Sequence, residues 1–560
     1  MRLISYLAFL SLVVQLQGLA EAQVDTTQSV IGEAHPQETT ASEGPGQDEV
    51  ISDPELESPS LKTKKNAATD VPAYQSALNG QLRLTLHSRA AVDLEWQDPR
   101  QEVFETTEIA LLEAKVRRSE RLRFEVGLRA RYELGALEHD TQDAQAVRYN
   151  LDLVPTAGFL DVTVANGLAL RVGYQTMHLG RFDAFSAVNI LDAVDLRGGP
   201  NTMPEAVEFG QLAVRVDWDL ASWLSLRGFY LPFFQANLIN LIESDYAVLP
   251  STEQFQRKAL DPLFGYDDVG NPPGPQAAFL RGYLRSNLLR AAREKIVEDG
   301  FATFAPEPSL IHPQGAVSLT ARGNAGEMAL TAGTALERLP VLKLSSDFQN
   351  LLIAAKNGTE PASAPTSENP PLPIEVTYPR FEVLALDGAT ELGPIQVGFE
   401  SAYVFRRMLY ATLPNEMIFP ARADLVQLGL RGEYAEESGW IVILEAFGAY
   451  TVSLPNYPGA RWTGVDMGRY IYGVAGHVSW TLEEAGVTLE TNAALGYGPS
   501  YFIAPRAQLR IVPDLYVELG AFLIGSAGSR STVCTGDRAG SVGCIYNDID
   551  HVFVGLRWLP

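Results

Sequence analysis

Residues 121–134, RLRFEVGLRARYEL, alternate without a break: Arg121, Arg123, Glu125, Arg129 and Arg131 fall on one parity, and Leu122, Phe124, Val126, Leu128, Ala130 and Tyr132 on the other. Side chains of a strand point alternately to its two faces, so this is a strand with one apolar and one charged face. The pattern recurs along the chain. Leu82, Leu84 and Leu86 oppose Arg83, Thr85 and His87; Leu168, Leu170, Val172 and Tyr174 oppose Arg171, Gly173 and Gln175; Val552, Val554, Leu556 and Trp558 form the last apolar row. In a soluble sandwich the apolar rows would face a core. In a membrane barrel they face lipid and the charged rows face the lumen.

The connections discriminate between the two. Short ones are read at 119–120, 166–167, 220–222, 324–327, 387–390, 436–439, 483–486 and 512–514. Long ones are read near 136–147, 181–208, 235–313, 338–373, 407–422, 453–469 and 527–546. Short and long alternate, as periplasmic turns and extracellular loops do in outer-membrane barrels. Trp440 and Tyr450 bracket an aliphatic row in one strand, and Tyr470, Tyr472 and Trp480 do so in another, as interfacial aromatic girdles require. The fold class expected is therefore all-β: a transmembrane antiparallel β-barrel of about 18 strands, with 16 the alternative, both termini being periplasmic. Within the long loop, 276–299 places Phe279, Tyr283, Leu284 and Leu288 at helical spacing, which predicts a helix lying over the mouth or folded into the lumen.

The N-terminus sets the compartment. Met1-Arg2, an apolar run over 3–14 and Ala20-x-Ala22 predict a signal peptide over 1–22. Residues 23–75 are rich in Glu, Asp, Ser, Thr and Pro and read as a disordered acidic periplasmic tether, leaving the barrel to 76–560. Cys534 and Cys544, the two cysteines of the chain, are expected to close a loop as a disulfide in an exported protein. The chain ends in an alternating strand with Trp558 near the terminus, a form that barrel assembly machinery reads. The outer membrane of a Gram-negative bacterium is the expected location, with its lipid as the surroundings.

Residues 173–200 resemble the signature of a porin-like outer-membrane family of uncharacterised function, Gly-x-Gln, then Gly, then Asn-Pro-x-Asp. Gly173, Gln175, Gly180 and Asp195 match it, whereas Asp192 and Ala193 stand where Asn and Pro are expected. A more distant likeness is to alginate-export barrels. The first resemblance implies passage of hydrophobic or amphipathic compounds across the outer membrane.

The charged parity is rich in arginine: Arg83, Arg123, Arg129, Arg131, Arg171, Arg215, Arg227, Arg322, Arg431, Arg506 and Arg510 are candidate lumen-lining residues. They either form cross-strand ion pairs that stiffen the wall or present positive charge to an anionic solute. The formal net charge of −25 does not exclude the second role, because much of the acidic excess lies in the tether and loops. The seven histidines are scattered and no local hydrolase, zinc or phosphate-loop motif occurs, so no enzyme, cofactor, metal or nucleic-acid partner is expected. The functional expectation is a porin-like channel for passive transport of small anionic, hydrophobic or amphipathic solutes, constricted by 181–208. An export conduit with periplasmic partners is one alternative, and a barrel hydrolase, with His178 or His477 beside a wall serine, or an adhesin is the other.

Overall fold

The computed structural model describes residues 80–93, 105–119, 121–133, 151–182, 186–195, 207, 209–238, 313–339, 341–344, 374–412, 418–436, 438–453, 461–462, 470–496, 500–526 and 550–559. Their first nine strands are β1 (Gly80–Asp93), β2 (Glu105–Ser119), β3 (Leu122–Glu133), β4 (Leu151–Ala165), β5 (Leu168–Gln175), β6 (Gln211–Ala221), β7 (Leu224–Leu231), β8 (Gln314–Gly323) and β9 (Gly326–Leu336). A separate hairpin follows, β10 (Val341–Leu344) with β11 (Ile374–Thr377). The wall resumes with β12 (Arg380–Leu392), β13 (Ile395–Thr412), β14 (Ile418–Ala435) and β15 (Trp440–Ser453). After the two-residue β16 (Arg461–Trp462), which pairs with the end of β13, come β17 (Tyr470–Leu482), β18 (Val487–Gly496), β19 (Ser500–Val512), β20 (Leu515–Ser526) and β21 (His551–Trp558).

Each wall strand pairs antiparallel with the next, and β21 pairs back onto β1 from Leu86↔Trp558 to Asp93↔His551. The wall is therefore a closed ring of eighteen strands with no free edge. Closure is what lets a sheet satisfy every backbone donor and acceptor without water.

Burial follows the parity of the sequence in an inverted sense. Along β21, His551, Phe553 and Arg557 are buried, while Val552, Val554, Leu556 and Trp558 are exposed. Along β3, Glu125, Arg129 and Arg131 are buried, while Phe124 and Val126 are exposed. Leaving one large aliphatic side chain in water forgoes about 1.5–3 kcal/mol, so an outward face built of such rows around the whole ring is stable only against an apolar solvent. Trp218, Trp223, Trp440, Trp480 and Trp558 ring the short-turn end of this face, and Tyr174, Tyr230, Tyr472 and Tyr501 ring the other. Trp440 and Trp480 stack, with centroids 5.1 Å apart and planes 8° from parallel. A double-mutant cycle of Trp440→Ala and Trp480→Ala, followed by unfolding into urea, is expected to give about 0.5–1.5 kcal/mol of coupling; additive losses would contradict the stack.

Two turns were misplaced by the sequence pattern. The expected turn at 387–390 lies inside β12, and the chain reverses at 392–395, where Gly393 takes φ 63° in open space. Asp387-Gly388 resembles a turn dipeptide, but Gly388 serves to leave room for the ring of Phe399, 2.7 Å from where a Cβ would stand. Most of the long loop expected over 407–422 is strand, because β13 continues to Thr412 through a bulge between Val404 and Arg407 and β14 begins at Ile418. The bulge reverses the parity, so the alternation breaks while the strand does not. Arg406, at φ 59°, is held there by Asp424 Oδ1 accepting from its N–H at 3.0 Å and by an ion pair with Glu382. No helix occurs among the described residues; 276–299, Cys534 and Cys544 lie outside them.

Both ends of the ring, Gly80 and Trp558, lie at the short-turn rim.

Candidate functional site

After Gln175 the chain leaves the wall, which resumes at Gln211; of the residues between, 176–182 and 186–195 are among those described and form a strap in the interior. Met177, Leu179, Ala187, Val188, Ile190 and Leu191 of this strap pack against inward residues of β6–β9 and β12–β14, among them Phe229, Leu231, Phe381, Val404 and Leu425. Ala193 and Phe209 form a second cluster with Val154. Apolar burial thus presses the strap against one half of the wall, while charged groups fix where it runs.

One anchor is Glu400 on β13. Its Oε1 accepts from the backbone N–H of Arg181 at 2.5 Å and of Phe182 at 3.0 Å; its Oε2 accepts from Ser186 Oγ at 2.9 Å and Ala187 N–H at 2.8 Å. Gly180 makes this approach possible. It takes φ 86°, and a Cβ there would stand 2.5 Å from both Glu400 Oε1 and Ser186 Oγ. The Arg181 guanidinium spreads over two further acids, Glu327 at 2.5 Å and Asp387 at 2.8 Å, and Arg431 Nη1 donates to the Arg181 carbonyl at 3.3 Å. Phe182 fills the space left by Gly429 of β14.

The other anchor is Asp195. Its carboxylate meets Arg129 Nη2 at 2.8 Å and Arg131 Nη1 at 3.5 Å, and the side chains of Arg129 and Asp195 are fully buried. Both arginines stand on β3. Around the ring β3 is the third strand and β13, which carries Glu400, the eleventh of eighteen, so the strap runs between walls on opposite sides of the ring. Between the anchors Asp192 accepts from Met177 N–H at 2.6 Å, which ties the two passes of the strap together. Arg338, beyond β9, donates to the Leu191 carbonyl, to Gln211 Oε1 at 2.8 Å and to the Gln235 carbonyl at 2.6 Å. Burial draws Arg338 down to about 10, against the pull of Asp192, so it remains a cation at neutral pH. Burial also raises the carboxyl of its neighbour Glu337, opposed by Arg407, and pushes Tyr378 up to about 12.

Below the strap the interior opens toward the short-turn rim. Along β6, Gln211 and Ala213 are buried, Arg215 and Asp217 are half-buried and Asp219 is exposed; along β8, Gln314 to Ser318 give way to half-buried Thr320 and Arg322. This vestibule is ionic. Arg171 pairs with Asp161 at 2.8 Å and lies 4.2 Å over the Phe159 ring. Arg215 and Arg227 share Asp217 at 2.6 and 2.8 Å. Arg123 meets Glu125 at 2.5 Å, and Arg322 approaches Glu327 at 3.6 Å. Beside the strap end on β14, Arg431 binds Glu433 and Glu445 at 3.0 and 3.1 Å; farther round the wall, Arg506 binds Glu490 and lies 3.8 Å from Glu518, and His87 Nε2 meets Glu518 at 3.2 Å. Arg83 and Arg510 are exposed near the rim.

Of the signature residues, Gln175 donates to the Ala213 carbonyl at 3.0 Å, Gly173 lies in β5 opposite Phe159, and Gly180 and Asp195 sit at the two anchors. Sequence reasoning missed Glu400, Glu327, Asp387, Arg181 and Arg338. The available signal was a single carboxylate, Glu400, on an inward parity otherwise made of Gly398, Ala402 and Val404. His477 Nδ1 meets Asn492 at 2.7 Å rather than a serine, and His178 is exposed beside Asp192.

No family model matches the chain, and no curated protein does. Among solved structures, Acinetobacter baumannii OccAB1 is similar at a TM-score of 0.44 and 9% identity, over 87% of this chain and 99% of that one. A BenF-like porin from Pseudomonas fluorescens Pf-5 gives 0.43 and 9%, over 86% and 98%. Salmonella typhi OmpF, solved in complex with daunomycin, gives 0.37 and 10%, over 86% and 97%. Likeness at these scores carries no argument, and the barrel rests on its own strand pairing.

Proposed function

We propose that the chain is an outer-membrane channel through which small solutes diffuse, with the strap setting the size limit and the vestibule arginines favouring anions. The observation that carries this reading is the strap between facing walls of a closed ring that is apolar outside and charged inside. An apolar exterior on an all-antiparallel closed barrel fits the bacterial outer membrane, and on this reading the short-turn rim, with both ends of the barrel, is the periplasmic side. A signal peptide over 1–22 and delivery to barrel assembly machinery complete that route; a periplasmic partner at this rim is compatible with it. The water-accessible part of the interior is ionic, and the apolar side of the strap is sealed against the wall. Of the solute classes that the sequence leaves open, small anions therefore fit better than hydrophobic compounds.

Liposome swelling tests the reading. Small anionic solutes are expected to enter faster than cations of equal size, with rates falling steeply as size grows; no swelling with any small solute would overturn it. Asp217→Asn removes the carboxylate that Arg215 and Arg227 both bond, at a half-exposed position. It is expected to raise the anion-to-cation permeability ratio by about twofold, read from reversal potentials; an unchanged ratio would mean that this cluster lies off the path.

A further inference from the structure

We propose that the acidic N-terminal segment of this chain docks on a basic corner of the short-turn rim, at the turn joining β2 to β3. The corner holds Arg117, Arg118, Arg121 and Arg123 within seven residues, all exposed, with Lys115 and Arg83 beside them. Arg117 stands directly opposite Arg123 in the strand register, and like charges so placed are destabilising. Arg123 reaches Glu125, but the side chains of Arg117, Arg118 and Arg121 have no ion-pair or hydrogen-bond partner among the described residues. Three other short connections are acidic without a neighbouring arginine cluster, with Glu436 between β14 and β15, Glu483 and Glu484 between β17 and β18, and Asp514 between β19 and β20. Glu120 in the same turn offsets one of these charges and Lys115 pairs with Glu125 at 3.4 Å, so the corner keeps a net excess of positive charge.

The chain supplies counter-charge next door. From Asp25 to Glu57 it carries nine acidic residues and no lysine or arginine. It enters the barrel at Gly80, which pairs with Val116, one residue from Arg117. Glu57 lies 23 residues before Gly80, and a random coil of that length has an end-to-end distance of about 25–30 Å, enough to return to the turn. A linked segment acts at an effective concentration of about millimolar, so modest attraction per charge suffices. Docking there would put acidic side chains beside the vestibule mouth. The proposal does not depend on whether the barrel conducts.

The test gives the corner reporter amines by Arg118→Lys and Arg121→Lys, which keep the charge. Their acetylation rates by a water-soluble reagent are then compared in the full chain and in a chain lacking 24–61, both refolded in zwitterionic detergent. Slower acetylation in the full chain, by several-fold, is expected, with the difference abolished at 1 M NaCl, where the screening length falls to about 3 Å. Replacing Asp48, Glu49, Asp53, Glu55 and Glu57 by their amides is expected to restore the fast rate. Equal rates in the two chains would overturn the proposal. So would slowing that appears equally in both and only in vesicles containing phosphatidylglycerol, since the corner would then be a lipid headgroup site.

Discussion

Glu400→Ala is expected to raise single-channel conductance several-fold and to make the open level noisy. The substitution deletes the acceptor of four hydrogen bonds, three from strap backbone N–H groups and one from Ser186 Oγ. Hydrogen bonds to a charged partner contribute about 1.5–3 kcal/mol each, and removing one member of a buried charged network costs about 3–5 kcal/mol. That loss falls on the strap, because the backbone ladders of β13 with β12 and β14 do not involve the side chain. Arg181 keeps Glu327 and Asp387, so the strap end is expected to sample several positions rather than leave the lumen. Glu400→Gln, which keeps one carbonyl acceptor, should fall between the two proteins. Unchanged conductance and unchanged noise in Glu400→Ala would show that the strap does not limit flow.

Asp195→Ala addresses the facing wall and should act mainly on stability. Arg129 and Arg131 each lose the carboxylate that they meet on the strap, and Arg129 is fully buried. Removing one partner of a buried ion pair costs about 3–5 kcal/mol, a large share of a typical folding free energy. The expected result is a clear fall in the temperature at which the barrel loses its compact, heat-modifiable mobility on gels. Asp195→Asn, which retains an acceptor for Arg129 Nη2, should lose less. A fall equal to that of an exposed wall substitution would mean that the pair contributes little.

The contrast between these residues shows what the sequence displays. Strands are legible because the two-residue period survives in nearly every wall segment, and the expected count of about eighteen, rather than the alternative of sixteen, agrees with the ring. Asp387-Gly388 misled because a glycine that makes room for an aromatic ring has the same letters as one that turns the chain. Arg406 misled because a bulge reverses parity without ending a strand. The charged parity was legible residue by residue, whereas its pairing was not: Arg171 stands opposite Arg215 in register, and each finds its acid elsewhere, on Asp161 and Asp217. The strap has neither helical nor strand period. Its anchor at Glu400 is separated from Arg181 by 219 residues, a contact that exists only once the ring has closed.

The central claim is that this barrel conducts through a passage narrowed by the strap. The most direct test is planar-bilayer recording of the purified full chain in a salt gradient. Small discrete conductance steps with a reversal potential on the anion-selective side are the predicted result. Absence of steps under conditions where Glu400→Ala is also silent, or a reversal potential on the cation-selective side, would contradict the account.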